Sequence, residues 1–145
     1  MPVELRWADL DPNFHLRHSV YYDFGAQVRM AFLSENGLTT EVMQQMQVGP
    51  ILFREECVFR REVRYGDKLI INMQLLKLRR DFARFSFRHE IKKADGMLCA
   101  ILTVDGAWMD TKARKLTVPP AVGQDLLNNM PKAPDFAWQE VPEGK

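Results

Sequence analysis

Ser19-Val20-Tyr21-Tyr22-Asp23-Phe24-Gly25-Ala26-Gln27-Val28-Arg29-Met30-Ala31-Phe32-Leu33-Ser34-Glu35-Asn36-Gly37 is the stretch on which the fold turns. Ser19 suits an N-cap and Gly37 a stop, which predicts a helix over residues 20–36. Val20, Phe24, Val28, Ala31 and Phe32 make one apolar stripe, with Tyr21, Met30 and Leu33 beside it. The polar positions Asp23, Gln27 and Ser34 fall on one narrow strip. A helix this apolar must be enclosed rather than laid on a surface. Gly25 in its interior costs about 1 kcal/mol against Ala, so close approach of another backbone is the expected compensation.

Working outward, residues 5–7 read as a short first strand, and residues 9–18, with Pro12 and Asn13, as a polar loop. Residues 40–47 add one or two helical turns before Gly49-Pro50. From there the period changes to two. Residues 51–62 read as a long strand, Tyr65-Gly66-Asp67 as a turn, and residues 68–80 as a second strand with Leu69, Ile71, Met73 and Leu75 on one face. In residues 83–93 the alternation is cleanest: Phe85, Phe87, His89 and Ile91 share one face, Arg84, Ser86, Arg88, Glu90 and Lys92 the other. Asp95-Gly96 is a hairpin signal, and residues 97–109 are apolar enough for a central strand. Residues 115–119 lead into Pro119-Pro120 and a short helix near residues 122–129. From Pro131 the chain reads as a loose tail, so residues 1–130 are expected to form the domain and residues 131–145 the tail. One long buried helix followed by four long strands gives an α+β domain. Strands of a dozen residues bury a helix only by curling, which predicts a curved antiparallel sheet wrapped around it.

Composition narrows the function classes. The 145 residues are 46% hydrophobic, enough for a core in one domain. Twenty Lys and Arg against 19 Asp and Glu leave a net charge of +1, which argues against duplex nucleic acid as partner. No apolar run approaches the ~18 residues of a membrane span, and the start Met-Pro-Val-Glu-Leu-Arg lacks the apolar region of a signal peptide. Cys57 and Cys99 sit in apolar surroundings without metal or redox spacing. Buried reduced thiols, and hence a cytoplasmic location, are the expectation.

The segment from Arg6-Trp7-Ala8-Asp9-Leu10-Asp11 through His15-Leu16-Arg17-His18-Ser19-Val20-Tyr21 resembles the signature of the 4-hydroxybenzoyl-CoA thioesterase family. That signature is an aromatic-rich strand, Asp-x-Asp, a short loop and a Tyr entering the central helix. Phe24, Arg29-x-x-Phe32-Leu33, Tyr65-Gly66-Asp67 and Val118-Pro119-Pro120 match in the same order, so the resemblance covers about residues 3–130. It implies the hotdog fold, a long helix wrapped by a curved sheet, and hydrolysis of an acyl-CoA thioester without a cofactor. The family's catalytic carboxylate, the second Asp of Asp-x-Asp, falls on Asp11. Its His seven residues later falls on His18, and the His that other members carry four residues later on His15. This chain departs in two places. The Gly that commonly precedes the first His is Phe14, and a Glu common on the helix is Ala26.

These residue types suit the chemistry. Thioester hydrolysis needs a group that attacks the carbonyl or activates water, and donors for the oxyanion. Asp11, leading into the helix, can act as nucleophile or general base. The free N–H groups at the helix start, around Val20, Tyr21 and Tyr22, are candidate oxyanion donors, and the same dipole keeps Asp11 ionised. His18 can orient water or the thiolate leaving group. The plainer reading of Asp9 and Asp11 is turn formation or capping, and Asp9 fits it better. His15 and His18 are, taken alone, ordinary loop residues. Two Asp and two His within ten residues invite a metal, but their spacing fits no standard ligand pattern. His89, on an apolar strand face, reads as a satisfied core histidine. Arg79, Arg80 and Arg84 flank a strand turn and form a candidate CoA-phosphate cluster, with solvated edge charge as the plainer reading.

Two functions from different classes follow. One is an acyl-CoA thioesterase, with an acyl-carrier protein as the other carrier of the thioester. The other is a non-catalytic acyl-thioester binder that has kept the fold, favoured by Phe14 and Ala26; a hotdog dehydratase fits the loop less well. The partners expected are the acyl-CoA substrate and further copies of the chain, as a homodimer or homotetramer, with no nucleic acid and no membrane. Open sheet edges call for pairing, and family members pair them and build the site between subunits.

Overall fold

The computed structural model describes residues 1–143. Twelve elements follow in order: β1 (Pro2–Val3), a 3-10 turn (Trp7–Asp9), α1 (Val20–Glu35), α2 (Thr40–Met46), β2 (Val48–Phe59), β3 (Leu69–Ile71), β4 (Gln74–Arg79), β5 (Arg84–Lys93), β6 (Leu98–Asp110), β7 (Lys115–Leu116), α3 (Ala121–Asn129) and β8 (Lys132–Gln139). The sheet runs from β2 through β6 to β5, where β3 and β4 pair side by side along the same strand; β1 continues from β3 and β8 from β4. This is the hotdog fold, with α1 held in the curl of an antiparallel sheet.

The helix sits as its apolarity demands. Val20, Tyr21, Phe24, Val28 and Leu33 are buried, while Asp23, Gln27 and Ser34 face out. Gly25 is a close-approach point, but to side chains rather than to another backbone: a Cβ there would lie 2.2 Å from Leu102 Cδ2 and 3.1 Å from Arg29 Nη1. Gly37 ends the helix at φ 92°, a region open to glycine, and Leu38 N–H reaches back to Leu33 O at 2.9 Å. Ser19 departs from the expected cap. It is already helical (φ −65°, ψ −25°), its side chain caps nothing, and its Oγ instead accepts from Arg17 Nε at 3.1 Å.

Four further expectations are corrected. Residues 5–7 form no strand; the first strand is Pro2–Val3, and the chain then tightens into the 3-10 turn, pinned by Arg6–Asp9 hydrogen bonds of 2.7–3.2 Å. The strand read over residues 68–80 is two, β3 and β4. Asn72 breaks it by turning its side chain into the ladder, accepting from Glu90 N at 2.6 Å and donating to Glu90 Oε1 at 2.8 Å. β2 ends at Phe59 rather than Glu62, since Arg60 and Arg61 both donate N–H to Cys99 O, at 2.7 and 3.0 Å, a bulge that stops the ladder. Finally, residues 132–139 of the expected tail form β8, parallel to β4. Pro131 and Pro134 mask it in the sequence, yet an edge strand tolerates proline, and Trp138 packs edge-on against Phe82 and Phe136 at 6.2 and 5.4 Å.

β2 is the exposed edge. Among the described residues it pairs only with β6, and Leu52, Phe53, Val58 and Phe59 are 37–53% exposed along it. Among the described residues no helix is long and apolar enough to cross a membrane.

Candidate active site

The bulge after β2 positions the loop that carries the candidate carboxylate. It turns Val63 into the core, and Val63 O accepts from Leu16 N at 2.7 Å. Leu10 and Leu16 bridge one another, closing residues 11–15 into a tight hairpin. Asp11 holds that hairpin together: its Oδ1 accepts from Asn13 N at 2.8 Å and His15 N at 3.1 Å. Asp11 therefore performs the turn-forming role through one oxygen and leaves the other without a hydrogen-bond partner among the described residues.

Phe14 stands where the related pattern has glycine, and its backbone behaves accordingly. It lies at φ 63°, the left-handed region that disfavours a side chain by roughly 1–2 kcal/mol. Contact with Trp7 at a centroid distance of 5.7 Å offsets part of that cost. The glycine-like loop path is kept despite the substitution.

Asp11, His15, His18, Tyr21, Phe59, Arg60, Arg61 and Glu62 line one open cleft of about 240 Å³. His18 stacks on Phe59 at 4.5 Å, and Tyr21 meets the same ring edge-on at 5.0 Å. Burial pushes the Tyr21 hydroxyl up to about 12, so it remains neutral. His15 Nε2 lies 3.3 Å from Glu62 Oε2. Asp9 does not join this group. It is 1% exposed, paired with Arg6, and held below the usual carboxylate range by that guanidinium's hydrogen bonds, a structural acid as expected. Among the described residues no cluster of three or more His, Cys, Asp or Glu is arranged to hold a metal ion.

At the helix start, Val20 N–H already donates to Arg17 O at 3.0 Å and is withdrawn from the expected oxyanion donors. The Tyr21 and Tyr22 N–H groups lie in the first turn of α1, at its positive end.

The arginines expected to bind phosphate lie elsewhere in the chain's fold. Phe59 pairs with Ala100, while Arg84 pairs with Ala107; that span of β6 is about 23 Å at ~3.3 Å per residue. Arg79 is held by Asp81 at 2.8 Å and Arg80 by Glu140 at 3.0 Å, with Arg80 also 5.2 Å over the Trp138 ring. Both are neutralised within the chain. Arg84 rests over Phe53 at 5.3 Å. The cations that do line the Asp11 cleft are Arg60 and Arg61, visible in the sequence only as a dipeptide in a strand. Nothing in their spacing shows that a bulge turns them to the cleft. Ala26, the helix position that departs from the related pattern, faces a different cavity.

His89 is fully buried and satisfied, with Nδ1 2.8 Å from Asn72 O and Nε2 3.1 Å from Arg29 Nη1. Burial lowers it to about 4, so it is neutral.

Comparison with known proteins supports the fold. Solved structures of the same fold include a hypothetical protein from Staphylococcus aureus in complex with CoA, 17% identical at TM-score 0.84, covering 99% of this chain and 88% of that one. A 1,4-dihydroxy-2-naphthoyl-CoA thioesterase from Synechocystis is 18% identical at TM-score 0.79, covering 89% of this chain and 94% of that one. A hypothetical protein from Thermus thermophilus is 20% identical at TM-score 0.79, covering 90% and 97% respectively. No curated protein sequence matches. The family model of the thioesterase-like superfamily matches residues 5–127, from before the Asp11 loop into α3, and by that match the chain belongs to this superfamily.

Proposed function

We propose that the chain is an acyl-CoA thioesterase that releases a free acid and CoA, with Asp11 as nucleophile or general base. The observation that carries this reading is the free carboxylate oxygen of Asp11, in a cleft that also opens on His18 and the first turn of α1. As general base, Asp11 takes a proton from water, the oxygen attacks the thioester carbonyl, and collapse of the oxyanion expels the CoA thiolate, which is then protonated. As nucleophile, Asp11 displaces the thiolate itself and water hydrolyses the resulting anhydride. In both, Tyr21 and Tyr22 N–H stabilise the oxyanion, and His18 orients the water or the departing thiolate. Arg60 and Arg61 contact the phosphates of CoA. The CoA-bound and CoA-thioesterase neighbours of the same fold support this substrate class.

The working form is a homodimer or homotetramer joined along β2. An antiparallel pairing of β2 with its copy sets the Phe53 half of one strand against the Phe59 half of the other. It thereby brings Arg84 of the partner subunit toward the Asp11 cleft. Cys57 and Cys99 are unpaired thiols, in keeping with a cytoplasmic enzyme.

The non-catalytic binder is the second reading. Its supporting observation is that Asp11 Oδ1 is already committed to the turn and Ala26 offers no second carboxylate. Thiol release from a panel of acyl-CoAs and acyl-carrier-protein thioesters separates the two. Turnover on any member supports the enzyme; binding without turnover across the panel supports the binder.

A further inference from the structure

A second cavity, of about 180 Å³, lies beside the C-terminal half of α1, between Ala26, Met30, Leu33, Leu52, Phe87 and Trp108. Its wall is apolar except for one group, the Arg29 guanidinium. Arg29 bends back over Gly25, which leaves room for it, and donates to His89 Nε2 at 3.1 Å. His89 in turn donates from Nδ1 to Asn72 O at 2.8 Å. An imidazole that donates through Nδ1 and accepts through Nε2 is neutral, so this chain aims the guanidinium without cancelling its charge. Among the described residues no carboxylate lies within 4.0 Å of Arg29; Glu55 supplies only a distant attraction.

A partly buried cation on an apolar wall, one donor spent on a neutral imidazole and no carboxylate beside it among the described residues, is costly unless an anion completes it. The geometry points to this cavity as a binding site for a short apolar chain ending in a carboxylate, with Arg29 as its counter-ion. The volume admits about six water-sized groups, hence a chain of roughly six carbons. Such a chain has two sources. It is either the far end of an acyl group on the thioester, a reading that rests on the proposed hydrolase activity, or a free carboxylic acid bound apart from turnover.

The test uses the full chain with hexanoate, 1-hexanol and hexylamine as probes, read by thermal shift and titration calorimetry. Hexanoate should bind about tenfold more tightly than hexanol, as a charge-assisted hydrogen bond implies, and hexylamine not at all. R29Q keeps a donor for His89 and drops the charge; it should bind hexanoate and hexanol alike, while R29K retains part of the preference. Circular dichroism confirms that each variant is folded. Equal binding of hexanoate and hexanol to the native chain, or a preference that survives R29Q, overturns the proposal. These arms need no turnover, so they stand or fall apart from the thioesterase reading. A kinetic arm then identifies the source, comparing a six-carbon acyl-CoA ending in methyl with one ending in carboxylate. If R29Q lowers kcat/KM for the second alone, the cavity takes the acyl group. If R29Q removes the preference for hexanoate over hexanol and leaves kcat/KM for both acyl-CoAs unchanged, the cavity holds the free acid.

Discussion

Asp11→Asn separates the two roles that Asp11 holds. Its Oδ1 accepts two backbone N–H groups, from Asn13 and His15, and its other oxygen has no partner among the described residues. The amide oxygen of Asn can take over both turn bonds, leaving the NH2 where the free oxygen was. The change therefore converts two charge-assisted hydrogen bonds into neutral ones, at a cost of about 1 kcal/mol each at most. Asp11→Ala removes both acceptors and should cost about 1–3 kcal/mol. Chemistry should respond in the other proportion. General-base catalysis contributes on the order of 100-fold or more, so Asp11→Asn should lower kcat by at least about 100-fold while KM changes little. The assay is thiol release on the best acyl-CoA of the panel, beside urea denaturation of the native chain and both variants. Wild-type kcat in Asp11→Asn would refute the mechanism and move the non-catalytic reading to first place. A modest loss of rate that tracks the loss of stability would reduce Asp11 to a turn-former.

Other expected outcomes follow from single features of the fold. His89 is neutral in the folded chain down to about pH 4, against 6.5 for the free side chain. Its burial contribution is full above pH 6.5 and is lost as pH falls toward 4, where the unfolded chain binds the proton first. That loss is on the order of 3 kcal/mol, visible in urea midpoints against pH and much reduced in His89→Gln. Gly25→Ala places a Cβ 2.2 Å from buried Leu102 Cδ2, so overpacking of ~1–3 kcal/mol should outweigh the ~1 kcal/mol gain in helix propensity; a raised denaturation midpoint would contradict this. Light scattering should show a dimer or tetramer, and Phe53→Glu with Val58→Glu on the exposed edge should shift it to smaller species with unchanged circular dichroism. Arg60→Ala should raise KM for acyl-CoA several-fold at low salt and less at high salt, whereas Arg80→Ala, already neutralised by Glu140, should leave KM nearly unchanged.

The sequence by itself determined the wrapped helix. Residues 20–36 are too apolar for a surface, and the strands that follow are long and alternating, so a curled sheet was the way to bury one with the other. Local alternation also marked His89 as core, whereas the Asp11 loop was marked by the resemblance of residues 6–21 to a family signature rather than by its own residues, which read as a turn. Tertiary structure decided what depends on partners distant in the chain. The single strand read over residues 68–80 breaks because Asn72 finds Glu90 eighteen residues away, and β8 exists because β4 offers it an edge, facts that no local period carries. Arg79, Arg80 and Arg84 cluster in sequence, yet two of them close on Asp81 and Glu140. Arg60 and Arg61 reach the cleft only because a carbonyl of β6, that of Cys99, captures both their N–H groups and ends the strand there. The Arg29–His89–Asn72 chain likewise joins a helix, a strand and a strand break. Charge type was legible in the residues; which charge meets which was set by long-range hydrogen bonding, and that is where the candidate sites were decided.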